Sequence, residues 1–363
     1  MIKIAIVLGT RPEILKNYSI VKSLRQKGAA FCVLHTGQHR DPLMSSQVFK
    51  DFFYEPTETF AGPYSFGAAL DWLTSRLEAL KVDLVLVNGD TAASLIGGLA
   101  ALYTNRPLAH VEAGLRSYDR RMFEERNRIM VDSIADFLFT YSDVETELLT
   151  QRPDLKGSIY KVGNTTVDLI EDFGSKLPRP LYYNYAFITL HRRELVRDPD
   201  ALTTILNALQ DVSTLFKLMI FPVHPHTFKQ MHKFGIKESN YPGIRFVKPM
   251  LPLSALSHIK HAKLIITDSG VVQEEAYLFG VPCVTVRDNT ERQMTVKVGA
   301  NIVSGIGYDD VIMAVKSSLK NRLAMYPPIY GEPGVGDRIT EILLKSEQLY
   351  TQDLSLNKMS VSF

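Results

Sequence analysis

The sequence predicts an α/β protein whose two doubly wound halves face a common interdomain cleft. Apolar runs of strand length alternate with longer helical patterns along the chain, as in βαβ units with mainly parallel sheets. At 363 residues the chain exceeds the size at which one hydrophobic core stops growing, so two domains are expected. Six strand ends also run straight into polar or charged residues, three in each half. In the first half these are Leu8-Gly-Thr-Arg-Pro-Glu13, Val87-Asn-Gly-Asp90 and His110-Val-Glu112. In the second they are Leu190-His-Arg-Arg-Glu194, Pro222-Val-His224 and Thr267-Asp-Ser-Gly270. Ligands of open α/β sheets sit outside the carboxyl ends of the strands, so this pattern implies an enzyme handling a charged ligand.

Taken in order, the expected strands of the first half are Ile2–Leu8, Ala30–Thr36, Leu84–Val87, Leu108–Val111, Phe137–Thr140 and Ile159–Val162, with helical stretches such as Thr91–Tyr103 and Glu124–Ala135 between them. The second half offers Ala186–Leu190, Leu218–Val223, Ile244–Val247, Leu264–Thr267 and Cys283–Val286. The prolines and glycine of Gly174-Ser-Lys-Leu-Pro-Arg-Pro180 favour a linker. The expected domains are therefore 1–175 and 181–345, with a helix end and tail over 346–363.

Composition excludes several classes. With 45% hydrophobic and 22% charged residues the chain reads as an ordinary globular protein. A formal charge of +2 gives no argument for nucleic acid or an acidic membrane surface. Cys32 and Cys283 lie in apolar runs without metal-ligand spacing, which suits free thiols in a reducing cytosol. Met1–Leu8 carries one charge and meets Gly9 at once, so it reads as a strand and not as a signal peptide. The expectation is a cytoplasmic protein without nucleic-acid or membrane partners.

The strand ends carry the chemistry. Thr10 and Glu13 have capping-box spacing and Pro12 suits a first helical turn, while Arg11 and Lys16 add cations beside N–H groups that already favour an anion. Asp90 and Glu112 end strands that should be close in the sheet, and Glu124 opens the next helix. Carboxylates sharing a crevice repel, so one should hold a proton and act as an acid. Capping of nearby N–H groups, or a Glu124 pair with Arg128 one turn on, is the structural alternative. His191, flanked by Arg192 and Arg193, suits stabilisation of a departing phosphate. His224 and His226 lack a third ligand at useful spacing, which argues against a metal. Ser269 and Gly270 offer hydroxyl and N–H groups to phosphate, and Glu275 a carboxylate to ribose hydroxyls. Asp268-Ser-Gly270 lacks the GxSxG elbow of a serine hydrolase.

These residues resemble the UDP-N-acetylglucosamine 2-epimerase family, non-hydrolysing type. Gly9-Thr-Arg-Pro-Glu13, Gly89-Asp-Thr91, His110-Val-Glu-Ala-Gly-Leu-Arg116, Glu124-Glu-Arg-Asn-Arg128, Val162-Gly-Asn-Thr165, His191-Arg-Arg193, Asp268-Ser-Gly270, Gln273-Glu-Glu-Ala276 and Arg287-Asp-Asn-Thr-Glu-Arg292 match in order, from residue 1 to about residue 345. The resemblance implies two Rossmann-like domains in a glycosyltransferase B-like architecture, a homodimer, a UDP-sugar substrate and no cofactor. It implies anti elimination of UDP to 2-acetamidoglucal, then re-addition with inversion at C2. Carried over, Asp90, Glu112 and Glu124 are acid/base candidates and His191 lies near the departing diphosphate. Arg11, Lys16, His224, Ser269, Gly270, Glu275 and Arg292 match substrate-binding positions.

The chain departs from the family pattern at Val271, where a second glycine is usual, and at Gln293 and Met294, where Pro-Glu is usual. Around Ala255 it lacks the aromatics often found near uracil. All four positions fall in the half expected to hold the nucleotide. The nearest competing readings are a 2-epimerase of a UDP-diacetamido uronic acid and a hydrolysing epimerase releasing ManNAc. A transferase of the same architecture and a UDP-sugar-binding regulator are more distant ones.

Overall fold

The computed structural model describes residues 2–320 and 326–345, and the tail expected over 346–363 lies outside the described residues. The chain divides into two compact units. Of the described residues, one gathers those up to Leu115, Arg120–Asp172 and Tyr330 to Lys345. The other comprises Arg116–Asp119 and Phe173–Ile329.

The first unit is built on seven strands: β1 Lys3–Leu8, β2 Ala30–His35, β3 Glu58–Thr59, β4 Leu84–Asn88, β5 Leu108–Val111, β6 Phe137–Thr140 and β7 Ser158–Lys161. Their order is β3-β2-β1-β4-β5-β6-β7, and every pairing is parallel. Helices on both faces leave Ile4 to Leu8 of β1 and Leu84 to Val87 of β4 with almost no exposed surface, which is why both strands are uninterrupted apolar runs. The second unit has β8 Tyr185–Thr189, β9 Leu218–Pro222, β10 Ile244–Val247, β11 Leu264–Thr267, β12 Cys283–Thr285 and β13 Asn301–Val303, in the parallel order β10-β9-β8-β11-β12-β13. The α/β class with two parallel sheets is thus as expected. Strand order reverses between β1 and β4 in one sheet and between β8 and β11 in the other. Such switch points are where loops part and ligands enter.

Two strands escaped the sequence reading. β3 has two residues and no apolar run, and β13 opens on the buried Asn301. The assignment of 181–345 to the second half also needs correction, because the helix Val335–Lys345 belongs to the first unit. It packs on the helix Tyr18–Gln26, where Ser23 Oγ donates to Asp337 Oδ1 at 2.5 Å and lies 2.6 Å from Thr340 Oγ1. Asp168 accepts the N–H groups of Gly334, Val335 and Gly336 at 2.6, 3.1 and 2.8 Å, so a carboxylate from another helix satisfies the start of this one. Sequence-local signals carry no trace of that partner.

Candidate active site

In the first unit, the loops that follow β1, β4 and β5 meet at the switch point. Thr10 and Glu13 form the expected capping box at the start of the helix Arg11–Lys16. Glu13 does more than cap. Its Oε2 accepts Gly9 N–H at 2.9 Å and both Thr10 N–H and Oγ at 2.8 Å, while its Oε1 accepts Thr91 Oγ at 2.6 Å and Ser94 Oγ at 3.0 Å. One buried carboxylate therefore ties the β1 loop to the turn that carries Asp90. Burial pushes the Glu13 carboxyl above its ordinary range, against the pull of its bonds from Thr91, Gly9, Thr10 and Ser94.

Asp90 and Glu112 follow neighbouring strands, with Asn88 opposite Val111 in register. Gly89 stands between them at φ +83°, and a Cβ there would fall 3.2 Å from Glu112 Oε2. The Glu112 carboxylate thus packs against the backbone that presents Asp90, and a side chain at 89 would push it away. Glu112 itself has φ +75°, a conformation that costs a non-glycine residue about 1–2 kcal/mol. That strain, at a carboxylate beside a switch point, marks a position held for its side chain.

The charge crowding expected here is relieved by cations. Lys16 Nζ lies 2.5 Å from Glu112 Oε2, both side chains being almost fully buried. The Arg128 guanidinium contacts Asp90 Oδ2 and also lies 3.0 Å from Glu125 Oε2. Asn127 Nδ2 donates to the Asp90 carbonyl at 2.9 Å. Lys16, read from sequence as an anion-binding cation, is thus committed to a carboxylate, and Arg128, weighed as a partner for Glu124, serves Asp90. Glu124 is half-buried in the first turn of the helix Phe123–Ile134, and Arg11 is half-buried at the start of its own helix.

In the second unit the switch point holds a histidine and a buried carboxylate. Asp268, fully buried after β11, accepts the N–H groups of His191 and Arg192 at 2.7 and 2.8 Å, and its Oδ1 lies 3.2 Å from His191 Nδ1. Burial opposes the charged form, yet the His191 ring beside it and these N–H donors hold the Asp268 carboxyl below its ordinary 3.8. His191 is therefore oriented by a group that sequence reading left without a role. His224 caps the helix Pro225–Lys233, its Nδ1 accepting His226 N–H at 3.2 Å, and its ring centroid lies 5.6 Å from that of His191.

Ser269 precedes the helix Gly270–Leu278 without capping it through its side chain, so the hydroxyl is not spent on its own helix start. A Cβ at Gly270 would fall 2.4 Å from Glu291 Oε1, which explains the glycine. Glu291 lies 3.0 Å from Arg287, 3.4 Å from Arg192 and 3.9 Å from Arg292, whose Nε is 2.5 Å from Glu274 Oε1. Arg292 is thus held among buried carboxylates, and Glu275 is buried on the same helix as Glu274.

The sequence profile of the UDP-N-acetylglucosamine 2-epimerase family matches residues 22–344. The chain belongs to this family. It is 35% identical to UDP-N-acetylglucosamine 2-epimerase of Methanococcus maripaludis, over 94% of this chain and 98% of the relative. It is also 32% identical to UDP-2,3-diacetamido-2,3-dideoxy-D-glucuronate 2-epimerase of Pseudomonas aeruginosa, over 94% and 99%. The crystal structure of Methanocaldococcus jannaschii UDP-GlcNAc 2-epimerase in complex with UDP-GlcNAc and UDP superposes with a TM-score of 0.86 at 34% identity, covering 95% of this chain and all of that one.

Two of the chain's departures from the pattern of this epimerase family have structural partners. Gln293 donates from Nε2 to the Arg116 carbonyl at 3.2 Å, tying the segment Arg116–Asp119 to the start of the helix Gln293–Lys297. Asn289 reinforces it, donating to Asp119 Oδ2 at 2.9 Å. Ala255 packs against the apolar cluster of Tyr185, Phe187 and Ile259. Val271 stands half-buried in the first turn after Gly270, and nothing in the structure explains the exchange for glycine.

Asp268→Asn tests the orienting role assigned to that carboxylate. Because the folded value is depressed, its stabilisation is complete above the ordinary 3.8 and is lost as pH falls through the folded value. The variant is expected to lose about 1–3 kcal/mol near neutral pH in urea unfolding, and the difference from the parent should shrink below pH 3.8.

Proposed function

We propose that the protein is a UDP-N-acetylglucosamine 2-epimerase interconverting UDP-GlcNAc and UDP-ManNAc. The observation that supports this most is the pairing of Asp90 and Glu112 on adjacent loops, each against a cation, in a member of this family. In the forward direction a carboxylate takes the C2 proton, the C1–O bond breaks and UDP departs, leaving 2-acetamidoglucal. UDP then adds back to C1 while C2 receives a proton on the opposite face. Proton and nucleotide both return, so atoms balance without a redox cofactor.

In this reading Asp90, Glu112 and Glu124 supply and receive protons, and His191, oriented by Asp268, stabilises the departing diphosphate. Arg11, His224, Ser269, Gly270 and Glu275 serve the sugar nucleotide. Lys16 and Arg292 act chiefly by holding carboxylates, which is what their buried ion pairs favour. The proposal includes a homodimer and a cytoplasmic location. Among the described residues no helix is long and apolar enough to cross a membrane.

One observation favours a second substrate. The Pseudomonas relative is named for a diacetamido glucuronate, and the sequence carries Arg116, Arg120 and Arg121 shortly after Glu112, cations of the kind a carboxylate at C6 would call for. Incubation with each sugar nucleotide separately, with products resolved by NMR, decides between them. Conversion of UDP-GlcNAc to UDP-ManNAc is expected. Turnover of the uronate alone would transfer the assignment to that sugar, and free ManNAc with UDP would indicate the hydrolysing branch.

A further inference from the structure

The helix Phe123–Ile134 carries Glu124, Arg128 and Asp132 four residues apart, so the three lie along one face. Glu124 and Arg128 already belong to the proposed site. Asp132 has no exposed surface and no role in the chemistry, and neither has the equally buried His110. The two are partners, with Nδ1 of His110 lying 2.7 Å from Asp132 Oδ1.

The other ring nitrogen reaches the backbone. His110 Nε2 lies 2.9 Å from the Gly89 carbonyl, an oxygen that only accepts, so Nε2 carries a hydrogen. The Asp132 carboxyl accepts Gly114 N–H at 3.4 Å on Oδ1 and 3.3 Å on Oδ2. The ring and the carboxylate thus join the Gly89 carbonyl to the Gly114 N–H inside the core.

The atoms held by this pair flank the candidate acid/base groups. Gly89 immediately precedes Asp90 and takes a positive φ. His110 lies two residues before Glu112, and Gly114 lies two residues after it. Arg128, one turn from Asp132 on the same helix, contacts Asp90 directly. A single helix face therefore fixes the β4 turn twice, through Arg128 to the side chain and through Asp132 and His110 to the backbone, and it fixes the β5 turn through Gly114.

We infer that His110 and Asp132 are positioning residues that set the separation of Asp90 and Glu112, without touching substrate. The inference rests on the epimerase reading for its catalytic consequence. Misplacing a reacting group by about 1 Å costs on the order of a hundredfold in rate. His110→Ala is expected to lower kcat about a hundredfold and Asp132→Asn about tenfold, with KM and UDP affinity within about twofold of the parent. The near-isosteric Asp132→Asn guards against a misfolded alanine variant.

Steady-state kinetics, UDP calorimetry and amide hydrogen exchange on the full chain provide the test. Faster exchange at Gly89, whose N–H bonds to the Val111 carbonyl between the two turns, and at Gly114 is expected in both variants, by about tenfold or more, as the turns loosen. Folded variants with parental kcat and parental exchange would overturn the inference. So would an equal loss of kcat and UDP affinity, which indicates general disruption. A parent protein that turns over no UDP-sugar would instead sink the epimerase reading, while the exchange measurement would still judge the clamp.

Discussion

Asp90→Asn is expected to lower turnover about 10³-fold while UDP still binds with nearly parental affinity, because the amide can neither take nor give the proton at C2. The substitution preserves volume and leaves the Gly89 carbonyl bonded to His110. Its structural cost falls on Arg128, which retains Glu125 at 3.0 Å, so a loss of only about 1–3 kcal/mol is expected in urea unfolding. A UDP-sugar-binding regulator would behave differently, since this variant would keep both ligand and output. Full turnover in the variant would remove Asp90 from the mechanism.

Glu112→Gln is expected to have the largest combined effect. It removes a candidate acid/base group and also breaks a buried pair, leaving the Lys16 ammonium without this carboxylate. Breaking such a pair from one side costs about 3–5 kcal/mol, since the remaining charge stays desolvated. Both side chains are almost fully buried, so solvent screening offers little relief. Lys16→Met combined with Glu112→Gln should recover most of that stability, because it removes the charge that Glu112 balanced, yet activity should stay lost. Thermal unfolding and kcat measured on the single and double variants separate the two roles. Activity restored by the double variant would mean that Glu112 serves only to neutralise Lys16.

Much of the fold was legible because parallel strands buried on both faces read as near-continuous apolar runs, and Ile4–Leu8, Leu84–Val87, Tyr185–Ile188 and Leu264–Ile266 are such runs. Their polar ends were equally visible, and the structure gathers the β1, β4 and β5 ends in one unit and the β8 and β11 ends in the other. What stayed hidden was pairing over long separations. Nothing local tells Lys16 that its carboxylate is Glu112, or Arg128 that Asp90 lies closer to its purpose than Glu124. Asp268 opens a visible Asp-Ser-Gly motif, but its role depends on β8 lying beside β11, a fact of sheet order. The last helix shows the same limit, since the acceptor for its first N–H groups is Asp168. Glu13 was recognised as a cap from its spacing with Thr10, whereas its grip on Thr91 and Ser94 needed β4 beside β1.

The central claim is that carboxylates of the first unit move the C2 proton of a UDP-sugar. Incubating the protein with UDP-GlcNAc in heavy water, and following the sugar protons by NMR, tests it most directly. Loss of the C2 proton signal from the substrate pool as UDP-ManNAc forms is the expected result. Formation of UDP-ManNAc with C2 hydrogen fully retained, or UDP binding without any exchange, would contradict the account.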